Sequence, residues 1–257
     1  MRFEHAIARL PAQTFSRGLT SSGEGAPSVE KALDQHGRYC DALRACGLAV
    51  DILAAAPNYP DSTFVEDTAI LTARTAIIMR PGAPTRLGEI ELIKDAIPAY
   101  RTEVTQIVEP GSMDGGDVCQ ADGHFFIGIS ARTNREGARQ LSAILHAHGY
   151  TSSIIDIRGQ SRLLHLKSGI AYLGSKRLIV AAELSASSAF QGYELIEVPA
   201  AELYAANCIH INDHVLMAAG YPKTAKALES LGYTALALDV SEFRKMDGGL
   251  SCLSLRF

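Results

Sequence analysis

The sequence predicts an α/β fold built by repetition. Two observations carry this: a strand, a polar loop, a helix and a second strand recur along the chain, and no Pro- or Ser-rich linker, charge block or low-complexity tract divides it. The opening unit reads FEHAIAR, a Gly/Ser loop, PSVEKALDQHGRYCDALRACG and LAVDIL. TAIIMR (75–80) begins the next and leads through a Gly/Pro/Thr loop to GEIELIKDAIPAY, which has helical spacing. HFFIGI (124–129) then leads through SARTN to REGARQLSAILHAHG and the strand SSIIDI. RLIVAA (177–182) leads to SASSAFQG and YELIEVP, and HVLMAAG (214–220) to YPKTAKALESLG and TALALDV. The helices place apolar residues at i, i+3 and i+4, while the strands are short and mostly apolar. Gly47, Gly149 and Gly232 follow helical stretches, where a C′ glycine is expected. Five units of roughly 50 residues favour radial or stacked repetition. An open α/β sheet is the alternative, since strand–helix alternation suits it equally.

At 257 residues the chain can bury a substantial core, and the absence of a linker predicts a single domain over 1–257. Apolar residues at 47%, charged residues at 20% and a net charge of −4 describe an ordinary globular protein. Lys and Arg are outnumbered and form no basic run, which argues against nucleic acid as a partner. No segment approaches the ~20 apolar residues of a membrane span. The start, MRFEHAIARLPAQTF, includes Glu4 and lacks the apolar stretch of a signal peptide. The five cysteines (40, 46, 119, 208 and 252) are an odd set without a CxxC pair. That argues against a zinc ribbon and a secreted disulfide framework, and for a reducing cytoplasm. Most such thiols are buried and inert.

Four stretches concentrate the unusual polar residues. In PDSTFVEDTAIL (60–71), Glu66 and Asp67 interrupt a strand-like run. Carboxylates are disfavoured in strands, so the pair is either a solvated strand entrance or matched to a guanidinium or ammonium group. In GSMDGGDV (111–118), two glycines between Asp114 and Asp117 allow positive φ or close backbone approach. Alone, DGGD reads as a turn, and the EF-hand ligand pattern is absent. His165 lies in the apolar run LLHLKSGIAYL, where a satisfied core histidine is the plain reading. A carboxylate on one side and a nucleophile on the other would make it catalytic. Cys252 closes KMDGGLSC, a glycine-rich approach that can expose backbone amides beside the thiol. A free thiol, with a pKa of about 8.5, needs a nearby cation or base to act as a nucleophile at neutral pH. His146 and His148 sit at a helix end, and His210 and His214 flank a hairpin turn at Asn212-Asp213. Dinucleotide, Walker, H-E-x-x-H and G-x-S-x-G motifs are absent.

FVED (64–67), MDGGD (113–117), SARTNREGA (130–138), LHLKSG (164–169), AANCIHIN (205–212) and KMDGGLSCLS (245–254) together resemble the dimethylarginine dimethylaminohydrolases. These are guanidino-modifying enzymes of the pentein fold, and the likeness runs in order from about residue 3 to 257. The resemblance implies an α/β-propeller of five ββαβ-type units around a pseudo-fivefold axis, with the active site in a central channel. It makes Cys252 the nucleophile, His165 the general acid/base and Asp114 the carboxylate that orients His165. Some relatives carry Glu at that last place. Asp67, with Glu66 beside it, would hold the guanidinium, and Arg86 and Arg132 the substrate α-carboxylate. Asp61 and the Leu19 carbonyl would take the α-amino group, the Met246 backbone would line the site, and GLTSSGEGAP (18–27) would be its lid. The implied reaction converts asymmetric dimethylarginine or monomethylarginine to citrulline through a covalent S-alkylthiouronium on Cys252, with neither cofactor nor metal. Arginine deiminases carry H-x-D where this chain has His165-Leu166-Lys167, which favours methylated substrates. A deiminase or related guanidine hydrolase remains the enzyme alternative, and a non-catalytic pentein binding module the non-enzyme one. The only partner implied is the small-molecule substrate, and both a monomer and a homodimer fit the sequence.

Overall fold

The computed structural model describes residues 2–257. Its strands form five three-stranded sheets. Residues up to Val65 together with Val198–Phe257 make one compact unit, here the terminal unit, and Glu66–Glu197 make the middle unit.

The middle unit contains three sheets. In the most regular, Val118–Ala121 pairs antiparallel with His124–Ile129, which pairs parallel with Thr151–Asp156. The helix Arg135–Ala147 makes the crossover that a parallel pair requires. Asn134 caps it by accepting the Gly137 N–H at 2.8 Å, and Gly149 leaves it at φ +78°. Ala69–Leu71, Ala76–Ile78 and Val104–Gln106 repeat the pattern. Their helix is shorter than GEIELIKDAIPAY predicts, running from Glu89 to Lys94 before a 3-10 turn over Ile97–Ala99. Pro98 is the reason: it has no N–H to donate back to the Lys94 carbonyl, so the α-helical ladder cannot run on through it. The third sheet joins Ile170–Tyr172, Arg177–Ala181 and Glu194–Val198. Two 3-10 turns, Ala182–Leu184 and Ser188–Phe190, replace its helix. Ile77, Met79, Phe125, Ile127, Leu141 and Leu145 fill the core between the first two sheets and the Arg135–Ala147 helix.

The terminal unit holds the other two sheets. Ile209–Ile211 and His214–Ala218 form the expected hairpin, with Asn212 at φ +53°, and Thr234–Leu238 joins in parallel after the helix Pro222–Ser230. Ser254–Arg256 pairs antiparallel with His5–Arg9, which pairs parallel with Ala49–Leu53 across the helix Val29–Ala45. The opening unit therefore takes its first strand from the far end of the sequence. Phe15, Phe64 and Phe243 pack edge-on or tilted at 5.5–6.3 Å between centroids in this core.

The sequence pattern did not show the short first strand of most sheets, and in the second unit it also left Val104–Gln106 unread. Residues 69–71, 118–121, 170–172, 209–211 and 254–256 are only three or four residues each, too short to show a period. A 3-10 turn precedes every one of them: Val65–Thr68, Gly115–Asp117, Leu166–Ser168, Ala200–Ala206 and Ser251–Leu253. These five entry turns are equivalent places in the repeat, and they carry or adjoin the four stretches singled out from the sequence.

Candidate active site

Glu66 and Asp67 lie in an entry turn, not in a strand, and both are buried against cations. Asp67 Oδ2 accepts from Arg86 at 2.6 Å, and its Oδ1 accepts the Gly116 N–H at 2.8 Å. Burial works to raise the Asp67 pKa, but His165 and Arg86 hold it down at about 2. Glu66 is paired with the Lys167 ammonium.

Arg86 was expected to face a substrate carboxylate. In this structure its fork is turned inward, onto Asp67 and onto Glu89, whose oxygens lie 2.8–3.1 Å from Nε and Nη2. Buried carboxylates need this compensation, and Arg86-x-x-Glu89 is the spacing that lets neighbouring turns meet. Arg132, by contrast, makes no side-chain ion pair among the described residues; its backbone N–H donates to Ser130 Oγ at 3.0 Å.

Asp114 and Asp117 are both fully buried. Neither Gly115 nor Gly116 has positive φ, so the glycines serve close approach alone. A Cβ on Gly115 would stand 2.0 Å from the Glu66 carbonyl, and one on Gly116 2.7 Å from His165 Nδ1. Asp114 Oδ2 lies 3.0 Å from His165 Nε2, and its Oδ1 accepts the Gly82 N–H at 2.7 Å. Burial works to lower the His165 pKa. The Asp67, Asp117 and Asp114 carboxylates override it and raise the pKa to about 9, so the ring is an imidazolium at neutral pH.

Asp67, Asp114 and His165 also offer ligand atoms within 4.8 Å of one another, the spacing of a metal site. Arg86 already occupies and neutralises Asp67 there, and Asp114 is engaged by His165 and the Gly82 N–H.

In the terminal unit, Asp61 accepts the Leu19 N–H at 3.0 and 3.2 Å. The segment before Leu250 holds the loop after Leu19. Thr20 and Ser22 hydroxyls donate to the Lys245 carbonyl at 2.7 and 2.6 Å, and Ser21 donates through N–H and hydroxyl to Asp247 at 2.5 and 3.0 Å. Met246 is buried in the core. Cys252 is half-buried, the other four cysteines fully buried. Gly249 N–H points at Cys252 Sγ at 3.4 Å. Asn207 sets this turn, accepting the Ser251 N–H and donating to Ser251 Oγ, both at 3.0 Å. Tyr204 donates to the Gly248 carbonyl at 2.6 Å.

Of the expected site residues, Glu66, Asp67, Arg86, Asp114, Arg132 and His165 belong to the middle unit, and Leu19, Asp61, Met246 and Cys252 to the terminal unit. Sequence reasoning missed Glu89, Lys167 as the partner of Glu66, and Asn207. Only Glu89 left a signal, its i,i+3 spacing from Arg86.

The family model for eukaryotic N,N dimethylarginine dimethylhydrolase matches residues 11–252. The N(G),N(G)-dimethylarginine dimethylaminohydrolase of Pseudomonas aeruginosa is 47% identical over 256 residues, covering 99% of this chain and 100% of its own length. A Cys-to-Ser mutant of the P. aeruginosa enzyme complexed with citrulline superposes at a TM-score of 0.97, with 46% identity and 100% of both chains covered. A dimethylarginine dimethylaminohydrolase with a His-to-Gly change, as its adduct with S-methyl-L-thiocitrulline, superposes at 0.96, with 46% identity over 99% of this chain and 100% of its own. The fold is therefore the five-unit α/β-propeller of the penteins, and the class is that of the guanidino-modifying hydrolases. Within that class, the chain belongs to the dimethylarginine dimethylaminohydrolase family.

Proposed function

We propose that this protein hydrolyses Nω-methylated arginines to citrulline, releasing dimethylamine or methylamine, in one active site of a single catalytic domain spanning residues 1–257. The observation that carries this reading is the buried His165–Asp114 pair at 3.0 Å, in a chain 47% identical to a dimethylarginine dimethylaminohydrolase. Asp67 takes the substrate guanidinium once Arg86 turns away from it, and Arg86 then shares the α-carboxylate with Arg132. Glu66, buried on Lys167, supports that wall of the site. Asp61 and the Leu19 carbonyl receive the α-amino group, beside the Met246 backbone and under the lid of residues 18–27.

The Cys252 sulfur attacks the guanidinium carbon to give a tetrahedral adduct. His165 gives its proton to the departing nitrogen, the C–N bond breaks, and the amine leaves an S-alkylthiouronium on Cys252. The imidazole then takes a proton from water as the water adds to the same carbon. Collapse breaks the C–S bond and returns Cys252 as thiolate and the product as citrulline. Proton transfer of this kind is worth about 10²–10⁴-fold. An imidazolium that persists to about pH 9 suits the acid step.

A deiminase needs a carboxylate two residues after His165, and Lys167 stands there, engaged with Glu66. The five free thiols support a reducing cytoplasm, and no helix among the described residues is long and apolar enough to cross a membrane. A monomer and a homodimer are equally compatible. Incubation with asymmetric dimethylarginine, monomethylarginine and arginine, with citrulline and amine measured, tests the function. Citrulline from the methylated substrates and none from Cys252→Ala is expected. Product from arginine alone would point to a deiminase, and no reaction with any guanidine to a binding module.

A further inference from the structure

Asp117 has no part in the chemistry above, yet two donors from different segments converge on its fully buried carboxylate. Oδ1 accepts the N–H of Leu166, the residue after His165, at 2.9 Å. Oδ2 accepts the Ser130 hydroxyl at 2.6 Å. Each donor segment carries a residue of the site. Ser130 Oγ accepts the N–H groups of Arg132 and Thr133 at 3.0 and 3.1 Å, and Thr133 Oγ1 accepts the Asp114 N–H at 3.2 Å. With two N–H groups aimed at Ser130 Oγ, the hydroxyl proton goes to Asp117, which therefore accepts at both oxygens, as an ionised carboxylate does; burial works to raise its pKa, and His165 and these donors oppose that. Space is kept for it: a Cβ on Gly128 would lie 2.9 Å from Asp117 Oδ1.

We propose that Asp117 is a positioning residue of the reaction, a single carboxylate that fixes the backbone of His165, the Arg132 turn and the Asp114 turn relative to one another. The proposal rests on the functional reading above. Asp114 orients the imidazole ring, whereas Asp117 orients the chain that carries it. An amide is no substitute, because Asn at this place would aim an NH₂ at a Ser130 oxygen that already takes two N–H donors. Ser130 would have to turn and release the Arg132 and Thr133 N–H groups. The anion also faces His165 together with Asp67, itself paired with Arg86, and Asp114.

Asp117→Asn and Ser130→Ala, compared with wild type by steady-state kinetics on asymmetric dimethylarginine and by NMR titration of the His165 ring nitrogens, test it. Asp117→Asn is expected to lose about 10²-fold in kcat, the scale of a misplaced catalytic group, and to titrate His165 at lower pH. Ser130→Ala is expected to raise KM more than it lowers kcat, because it frees the Arg132 turn first. Wild-type kcat with an unmoved His165 titration in Asp117→Asn overturns the proposal. Should Asp117→Asn fail to fold, Ser130→Ala decides alone, and an unchanged KM overturns it. If wild type forms no citrulline, the functional reading fails, while the His165 titration still reports whether Asp117 governs that residue.

Discussion

His165 and Arg86 show at the scale of single residues how charge is kept buried. The His165 pKa is raised to about 9 against the 6.5 of a free imidazole, so the folded state binds its proton more tightly than the unfolded one. Its stabilising contribution is therefore complete below about pH 6.5 and is lost as pH rises through 9, with an order of magnitude of about 3 kcal/mol. Thermal unfolding across pH should show the gap in Tm between wild type and His165→Gln widest near pH 6 and narrowing towards pH 10, and a constant gap would refute it. Arg86 compensates Asp67 and Glu89 at once. Arg86→Met strands two buried carboxylates and should cost about 3–5 kcal/mol at neutral pH. The loss should shrink in mild acid, where the stranded carboxylates can take up protons; urea unfolding at two pH values measures both effects.

The informative element is the entry turn. DGGD read as an ordinary turn in the sequence because nothing local tells which atoms will crowd its glycines. The structure separates the two by what each approaches: the Glu66 backbone at Gly115, the side chains of His165 and Asp67 at Gly116. Gly115→Ala meets an immovable carbonyl and should destabilise the protein by about 1–3 kcal/mol. Gly116→Ala presses directly on the His165 ring and the Asp67 carboxylate, so it should depress kcat much more than Tm. Thermal unfolding and kcat measured side by side distinguish them; equal Tm losses would contradict the assignment. The second MDGG works differently. There Asp247, at φ +58°, reaches Ser21, and a Cβ on Gly249 would press on Asn207 Oδ1 at 2.4 Å. The two copies share a tetrapeptide and a place before a first strand, and hold their turns by different contacts.

Across the whole molecule, the sheet that begins the chain is completed by its last strand, with Ala6, Ile7 and Ala8 paired to Arg256, Leu255 and Ser254. Cys252 stands directly before that strand, so packing at Leu255 is coupled to the nucleophile's position. Leu255→Ala should cost about 2–5 kcal/mol and lower kcat as well, whereas unchanged kcat in the folded variant would uncouple the two. The sequence by itself determined the five repeats, the long helices and their caps, and the family, because periodicity and capping are local and the motifs recur in a fixed order. It also supplied the residue types of the site. Only the tertiary structure decided that Glu66 belongs to Lys167, that Arg86 is turned onto Asp67 and Glu89, and that Asp117 ties together residues 114, 132 and 166. The physical reason is that a buried charge is defined by its partner, and these partners stand up to 101 positions apart in sequence (Glu66 and Lys167), beyond the reach of any local pattern.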